Sequence, residues 1–254
     1  MDVAPGGYAW TIVSPPFIPQ QGVLAISETR WHLLTLSLQP ASPGTLVLAG
    51  DAGVLGNGIR LTAAQAWSRG AAWTATPRAV RDGFVASVSF SITDAGGVSD
   101  ISGKTGADGL AFVIQSESGS PLGFAGEEQG YGGITRSLAI EFDTWKNIGD
   151  PDGNHISVQS RGVSANSSLH QYSLGFALAP VDLSDGVVHA VRVEYIPGLL
   201  NVYLDGALAL SVAVDLTNIG GVSILDSAGN AWLGFTAATG AAYENHDLLS
   251  WTLP

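Results

Sequence analysis

The segment Glu141-Phe142-Asp143-Thr144-Trp145-Lys146-Asn147-Ile148-Gly149-Asp150-Pro151-Asp152-Gly153-Asn154-His155 is the richest in groups that could hold a cation. Glu141 and Asp143 stand two residues apart at the end of an apolar run, so on a strand both project from one face. Asn147, Asp150 and His155 follow in a stretch of turn-forming residues, free to fold back over that face. Like charges gathered at one place are costly unless a cation neutralises them. The donors sort into two sets. Asp143, Asn147, Asp150 and a backbone carbonyl offer oxygen only, the preference of Ca2+. Glu141, Asp143, Asp150 and His155 mix carboxylate with imidazole, which suits Mn2+ or another octahedral transition ion. Two ions could share Asp143 and Asp150. A solvated acidic loop would use the same residue types, but a buried strand end does not ordinarily emit Glu and Asp on one face.

The elements that position these residues read as strands. Residues 84–92 alternate apolar with small or polar side chains, and 187–195 do the same. Residues 200–204 follow the turn signal Pro197-Gly198, and Asp205-Gly206 predicts a hairpin into 208–214. Residues 110–114, 138–142 and 156–158 are short aliphatic strands. The best helical candidate, 61–67, is short and lacks proper caps, and residues 1–50 give little beyond strand-like alternation. Many closely spaced strands without helices predict an all-β fold, an antiparallel β-sandwich. No linker or internal repeat divides the chain, so residues 1–254 are expected to form a single domain.

Composition narrows the partners. Ten basic against twenty-two acidic residues give a net charge of −12. There is no basic stripe to neutralise phosphates, which argues against nucleic acid and anionic membrane. Cysteine is absent, so disulfides and thiolate metal sites are excluded. No apolar stretch approaches the roughly 18 residues of a membrane span. The opening Met1-Asp2-Val3-Ala4-Pro5 has neither the basic nor the apolar region of a leader.

Ala139-Ile140-Glu141-Phe142-Asp143-Thr144-Trp145, with Asn147, Asp150-Pro151 and His155-Ile156 behind it, resembles the metal-binding signature of legume-type (L-type) lectins. The resemblance implies a legume lectin jelly roll, glycan or glycoprotein ligands, no catalysis, a secreted or extracellular location and possible homo-oligomers. It implies Mn2+ on Glu141, Asp143, Asp150 and His155. It implies Ca2+ on Asp143, Asn147, Asp150 and the Trp145 carbonyl. Ala107-Asp108-Gly109-Leu110-Ala111-Phe112 resembles the segment whose aspartate, preceded by a non-proline cis peptide, accepts hydrogen bonds from sugar hydroxyls. Residues 232–240 and 246–251 resemble the family's C-terminal strands.

So read, Asp108 and Asn147 bind vicinal hydroxyls while the Trp145 indole stacks on the apolar face of a pyranose. Backbone donors are implied at Glu127 and at Ala241. The short specificity loop Ala241-Ala242-Tyr243-Glu244-Asn245 leans toward mannose or glucose, with Tyr243 a possible wall. This chain departs from the pattern where relatives carry glycines and a leucine: Glu127, Glu128 and Gln129 stand there, able to crowd the sugar or add acceptors. Among the histidines, His155 is the implied ligand. His32, His170 and His189 are expected to pack or face solvent, and His246 to support the last strand. Two alternatives compete: a β-sandwich glycoside hydrolase, which lacks a second glutamate after Asp143, and an adhesion module without sugar affinity.

Overall fold

Strands of alternating or wholly apolar sequence assemble into two stacked antiparallel sheets. The computed structural model describes residues 46–254 in full, and 6–12 and 20–26 as backbone. In chain order the strands are β1 (Gly6–Ile12), β2 (Gln20–Ile26), β3 (Leu46–Gly50), β4 (Gly53–Leu55), β5 (Gly58–Thr62) and β6 (Arg69–Thr74). There follow β7 (Arg78–Ala79), β8 (Phe84–Gly97), β9 (Gly109–Gln115), β10 (Ser137–Asp143), β11 (His155–Ser160) and β12 (Ser173–Leu178). The last are β13 (His189–Ile196), β14 (Leu199–Leu204), β15 (Ala207–Val212), β16 (Asn230–Ala238) and β17 (Ala242–Thr252). One sheet runs β12-β11-β10-β9-β16-β6-β3, with β7 also on β16, and the other runs β15-β14-β13-β8-β17-β5-β4. β1 and β2 form a separate two-stranded ladder. The expectation for His32 falls outside the described residues.

The sandwich predicted from strand spacing is the fold observed. The Asp205-Gly206 hairpin joins β14 to β15 with both residues at positive φ, 49° and 84°, the conformation that a tight two-residue turn requires. Residues 61–67 are not helical: Leu61 and Thr62 end β5, and the chain then turns toward β6.

Between the sheets lies a core in which Phe90 packs on Phe142 and Phe112 on Phe235, with ring centroids 5.7 and 5.5 Å apart. A second apolar cluster, including Ala71, Trp73, Val113, Tyr131, Ile134 and Ala139, covers the opposite face of the first sheet. β9 and β10 are therefore buried on both faces, which is why their sequences read as near-continuous aliphatic runs. Along β10, Leu138, Ile140 and Phe142 enter the inter-sheet core. Ala139, Glu141 and Asp143 alternate to the other side, under the 118–134 loop.

Candidate functional site

The register of the first sheet brings three chain ends to one rim. Asp143 on β10 and Ala238 on β16 both stand opposite Gly109 of β9. Residue 108, residues 144–147 and residues 239–241 must therefore meet. The Asp108 N–H donates to the Ala238 carbonyl at 3.0 Å, and the Asp108 carbonyl accepts from the Thr144 N–H at 3.3 Å. The Ala107–Asp108 peptide is cis. The Gly126 N–H donates to the Thr239 carbonyl at 3.0 Å, drawing the 3-10 turn Gly126–Glu128 to the same rim.

The result is a cleft of about 380 Å³ whose lining includes Asp108, Glu127, Trp145, Asn147, Ala241 and Ala242. These are the residues the sequence assigned to sugar contact, except Tyr243. Ala242 already belongs to β17, so strand alternation turns the next side chain away. The Tyr243 ring lies against Gly96 of β8, 2.7 Å from where a Cβ there would stand. The specificity loop expected over 241–245 is a three-residue connection, 239–241, followed by strand.

Asp108 is 4% exposed, and its Oδ2 has no partner among the described residues. Burial first, then the carboxylates of Glu244, Glu127 and Asp150, push its pKa up to about 8. Glu244 is fully buried beneath the same turn: its Oε1 accepts from the Thr144 hydroxyl and lies 3.4 Å from His246 Nε2. His246 in turn meets the Thr62 hydroxyl through Nδ1 at 2.6 Å, tying β17 to β5 as expected of a supporting residue. At Gly106, with φ of 89°, a Cβ would stand 2.4 Å from Glu244 Oε2, so only glycine lets the turn close.

The acids behind the cleft form a second, deeper group. Glu141, 1% exposed, accepts from the Tyr131 and Ser157 hydroxyls and from Gln159 Nε2, the last at 3.1 Å. Burial outweighs these bonds and lifts its pKa to about 7. Asp143 accepts from Gln129 Nε2 at 2.8 Å and the Trp145 N–H at 2.9 Å. Burial, then the charges of Glu141, Asp150 and Asp108, hold its carboxyl well above the ordinary range. Asp150 accepts from the Asn147 N–H at 2.8 Å.

The two predicted cation sets fare differently. Asp143, buried and pushed up by burial and neighbouring carboxylates, stands with Asp150 and the Asn147 amide that opens on the cleft, an oxygen-donor group that fits Ca2+. In the transition-metal set Glu141 is engaged by protein donors, and His155 lies near Asp143. Among the described residues no three His, Asp or Glu side chains converge as ion ligands. Both Glu141 oxygens are taken by protein donors. His155 Nδ1 lies 3.0 Å from the Asp152 carbonyl and 4.0 Å from Asp143 Oδ1. Mn2+ on Glu141, Asp143, Asp150 and His155 remains what the resemblance implies.

Sequence reasoning missed the partners of these acids. Gln129 and Tyr131 sit in the loop where the departures from the family pattern were noted, and that polar substitution was the available signal. Those side chains do not crowd the cleft: Gln129 turns inward to Asp143, and Glu128 turns to the Ser168 N–H at 3.0 Å. Only Glu127 of that group lines the cleft. Trp67 belongs to no recognisable motif, and Glu244, within the specificity loop, carries no local sign of its burial under Asp108. Retaining hydrolysis needs two carboxyls about 5–5.5 Å apart and open to substrate. Glu141 and Asp143 are buried at 1% and 4% exposure and engaged by protein donors.

The legume lectin domain family matches residues 37–254. The basic agglutinin of Psophocarpus tetragonolobus is 32% identical over 163 residues, covering 58% of this chain and 60% of the agglutinin. A probable L-type lectin-domain containing receptor kinase S.5 of Arabidopsis thaliana is 30% identical over 171 residues, covering 61% of this chain and 25% of the kinase. The matched segment thus spans less than two thirds of the length of either relative. The structure of winged bean acidic lectin complexed with methyl-α-D-galactose superposes with a TM-score of 0.65 at 27% identity, covering 83% of this chain and 93% of that one. No helix among the described residues is long and apolar enough to cross a membrane. Matched over residues 37–254, most of its length, the chain belongs to the legume lectin domain family.

Proposed function

We propose that the chain is a calcium-dependent glycan-binding domain whose saccharide seats in the rim cleft. The observation that carries this reading is the convergence of Asp108, Asn147 and Trp145 with Glu127 and Ala241 on one cavity. Asp108 and Asn147 supply an acceptor and a donor for neighbouring hydroxyls. The Trp145 ring offers a flat apolar surface to a pyranose. The amides of Glu127 and Ala241 add donors from the cleft's other sides. A bound Ca2+ would neutralise Asp143 and Asp150 and hold residues 143–150 in place, with Asn147 and the Trp145 carbonyl as further ligands. The brief 239–241 connection, which adds little bulk to the cleft's side, supports a mannose- or glucose-type ligand. A secreted or extracellular location, one domain over 1–254 and association into homo-oligomers accompany this reading.

The test is a glycan array probed in calcium and again after chelation. Binding should appear in calcium, with mannose- or glucose-terminated glycans foremost, and vanish in chelator. Binding that survives complete removal of divalent ions would overturn the dependence on metal, and a blank array in calcium would overturn the function.

A further inference from the structure

Trp67 lines the candidate cleft, yet no part of the reading above uses it. It is 68% exposed, so its indole forgoes the burial that ordinarily makes tryptophan favourable in a fold. It is also held at a φ of 63°, a left-handed conformation that residues with side chains adopt at a cost. Its backbone is nonetheless clamped. The Trp67 N–H donates to the Gly240 carbonyl at 3.1 Å, and the Ser68 N–H donates to Thr239 Oγ1 at 2.9 Å. The Thr239 N–H donates back to the Ser68 carbonyl at 2.9 Å, and its hydroxyl donates to the Gln65 carbonyl at 2.6 Å. The indole is thus fixed beside the 239–241 connection, which closes one side of the cleft.

A second observation gives the indole a direction. Trp67 also borders a groove of about 580 Å³ lined among others by Asp51, Arg60, Gln65 and Ser68. One exposed ring therefore stands between two depressions, the first holding the buried Asp108, the second lined by Val54 and Leu55 together with the polar side chains, of which Arg60 also pairs with Asp247 and Asp51 also accepts from Ser68. That is the arrangement an oligosaccharide uses: a flat sugar face laid on an aromatic, with hydroxyls reaching polar groups on either side.

We infer that the binding site extends past the rim cleft, and that Trp67 is the stacking platform for a second sugar residue whose hydroxyls face the Asp51, Arg60 and Gln65 groove. The ligand class is then an oligosaccharide of at least two residues, not a free monosaccharide. This rests on the glycan-binding reading above, and the experiment separates the two.

Methyl α-D-mannoside, methyl α-D-glucoside and methyl α-D-galactoside are titrated in calcium alongside di- and trisaccharides ending in the same sugars. The proteins are wild type, Trp67→Ala, Trp67→Gly and Asp108→Asn. Glycine suits a φ of 63°, so Trp67→Gly removes the ring without straining the backbone. Wild type should bind the oligosaccharides more tightly than the matching monosaccharide. Both Trp67 variants should lose about tenfold in oligosaccharide affinity and several-fold less on the matching monosaccharide, while Asp108→Asn loses both. Unchanged oligosaccharide binding in Trp67→Gly, or an equal loss on monosaccharide and oligosaccharide, would overturn the extended site while leaving the primary cleft standing. A wild-type protein that binds nothing on the panel, or an Asp108→Asn variant that binds normally, would overturn the primary reading and the extension with it.

Discussion

Stripping the divalent ions should make this protein's stability fall as pH rises from 5 to 7. Asp108 goes from an ordinary carboxyl pKa of 3.8 to about 8 in the fold, and Glu141 from 4.5 to about 7. A carboxyl whose pKa is raised on folding stabilises the fold while protonated. That contribution is whole below the unfolded value and is lost as pH climbs to the folded one. Each pH unit between those limits costs about 1.4 kcal/mol per group. From pH 5 to 7 the two groups together remove about 5 kcal/mol, a large part of the roughly 5–15 kcal/mol that holds a domain folded. For a chain of this size the melting temperature should drop by about 10 to 20 °C. Calcium on Asp143 and Asp150 opposes this loss: it cancels the Asp150 charge that raises both groups, sets a cation near them, and binds only the folded state. The assay is calorimetric melting in chelator and in millimolar calcium at both pH values. Calcium should raise the melting temperature far more at pH 7 than at pH 5. Asp108→Asn in chelator should show about half the wild-type slope, which separates the buried acids from general repulsion among surface carboxylates. Equal melting at both pH values in chelator, or an equal gain from calcium at both, would refute the reasoning.

Other outcomes follow from the same geometry. Asp108→Asn should abolish glycan binding on the array while melting at or above the wild-type temperature in chelator at pH 7, because it removes a buried ionisable group; retained binding would show that the cleft is misassigned. Protein equilibrated with calcium and manganese and then desalted should retain about one equivalent of calcium and well under one of manganese by elemental analysis, since protein donors hold Glu141. Gly106→Ala places a Cβ 2.4 Å from Glu244 Oε2 at a φ of 89° and should cost about 1–3 kcal/mol in denaturant melts, with weakened sugar binding. Phe142→Ala empties the inter-sheet core beside Phe90 and should cost about 3–5 kcal/mol.

The fold was largely legible because strand sequences announce themselves. Residues 84–92 place Phe84, Ala86, Val88, Phe90 and Ile92 in the core by simple alternation, and that is where they lie. β12 was not legible: it exposes Leu174, Phe176 and Leu178 and turns Gly175 and Ala177 inward, the inverse of the usual pattern. The 61–67 stretch misled in the other direction, because apolar spacing alone cannot show that β5 ends at Thr62 and the chain is pulled across to Thr239.

At the site, residue types and short spacing determined which groups could do chemistry: the acids of 141–150, the Trp145 ring and, through family resemblance, Asp108. Local sequence suffices there because alternation along a single strand fixes that Glu141 and Asp143 share a face. Only the tertiary structure decided what meets those groups. Gln129, Tyr131, Ser157 and Gln159 reach the acids from other elements, and contacts made across sheet register leave no trace in local pattern. The same holds for Trp67, which arrives beside the cleft through backbone bonds to residues 239–240, more than 170 positions away along the chain. Register between distant strands is set by the whole sandwich closing on its core, so it is a property of the folded chain and not of any segment in it.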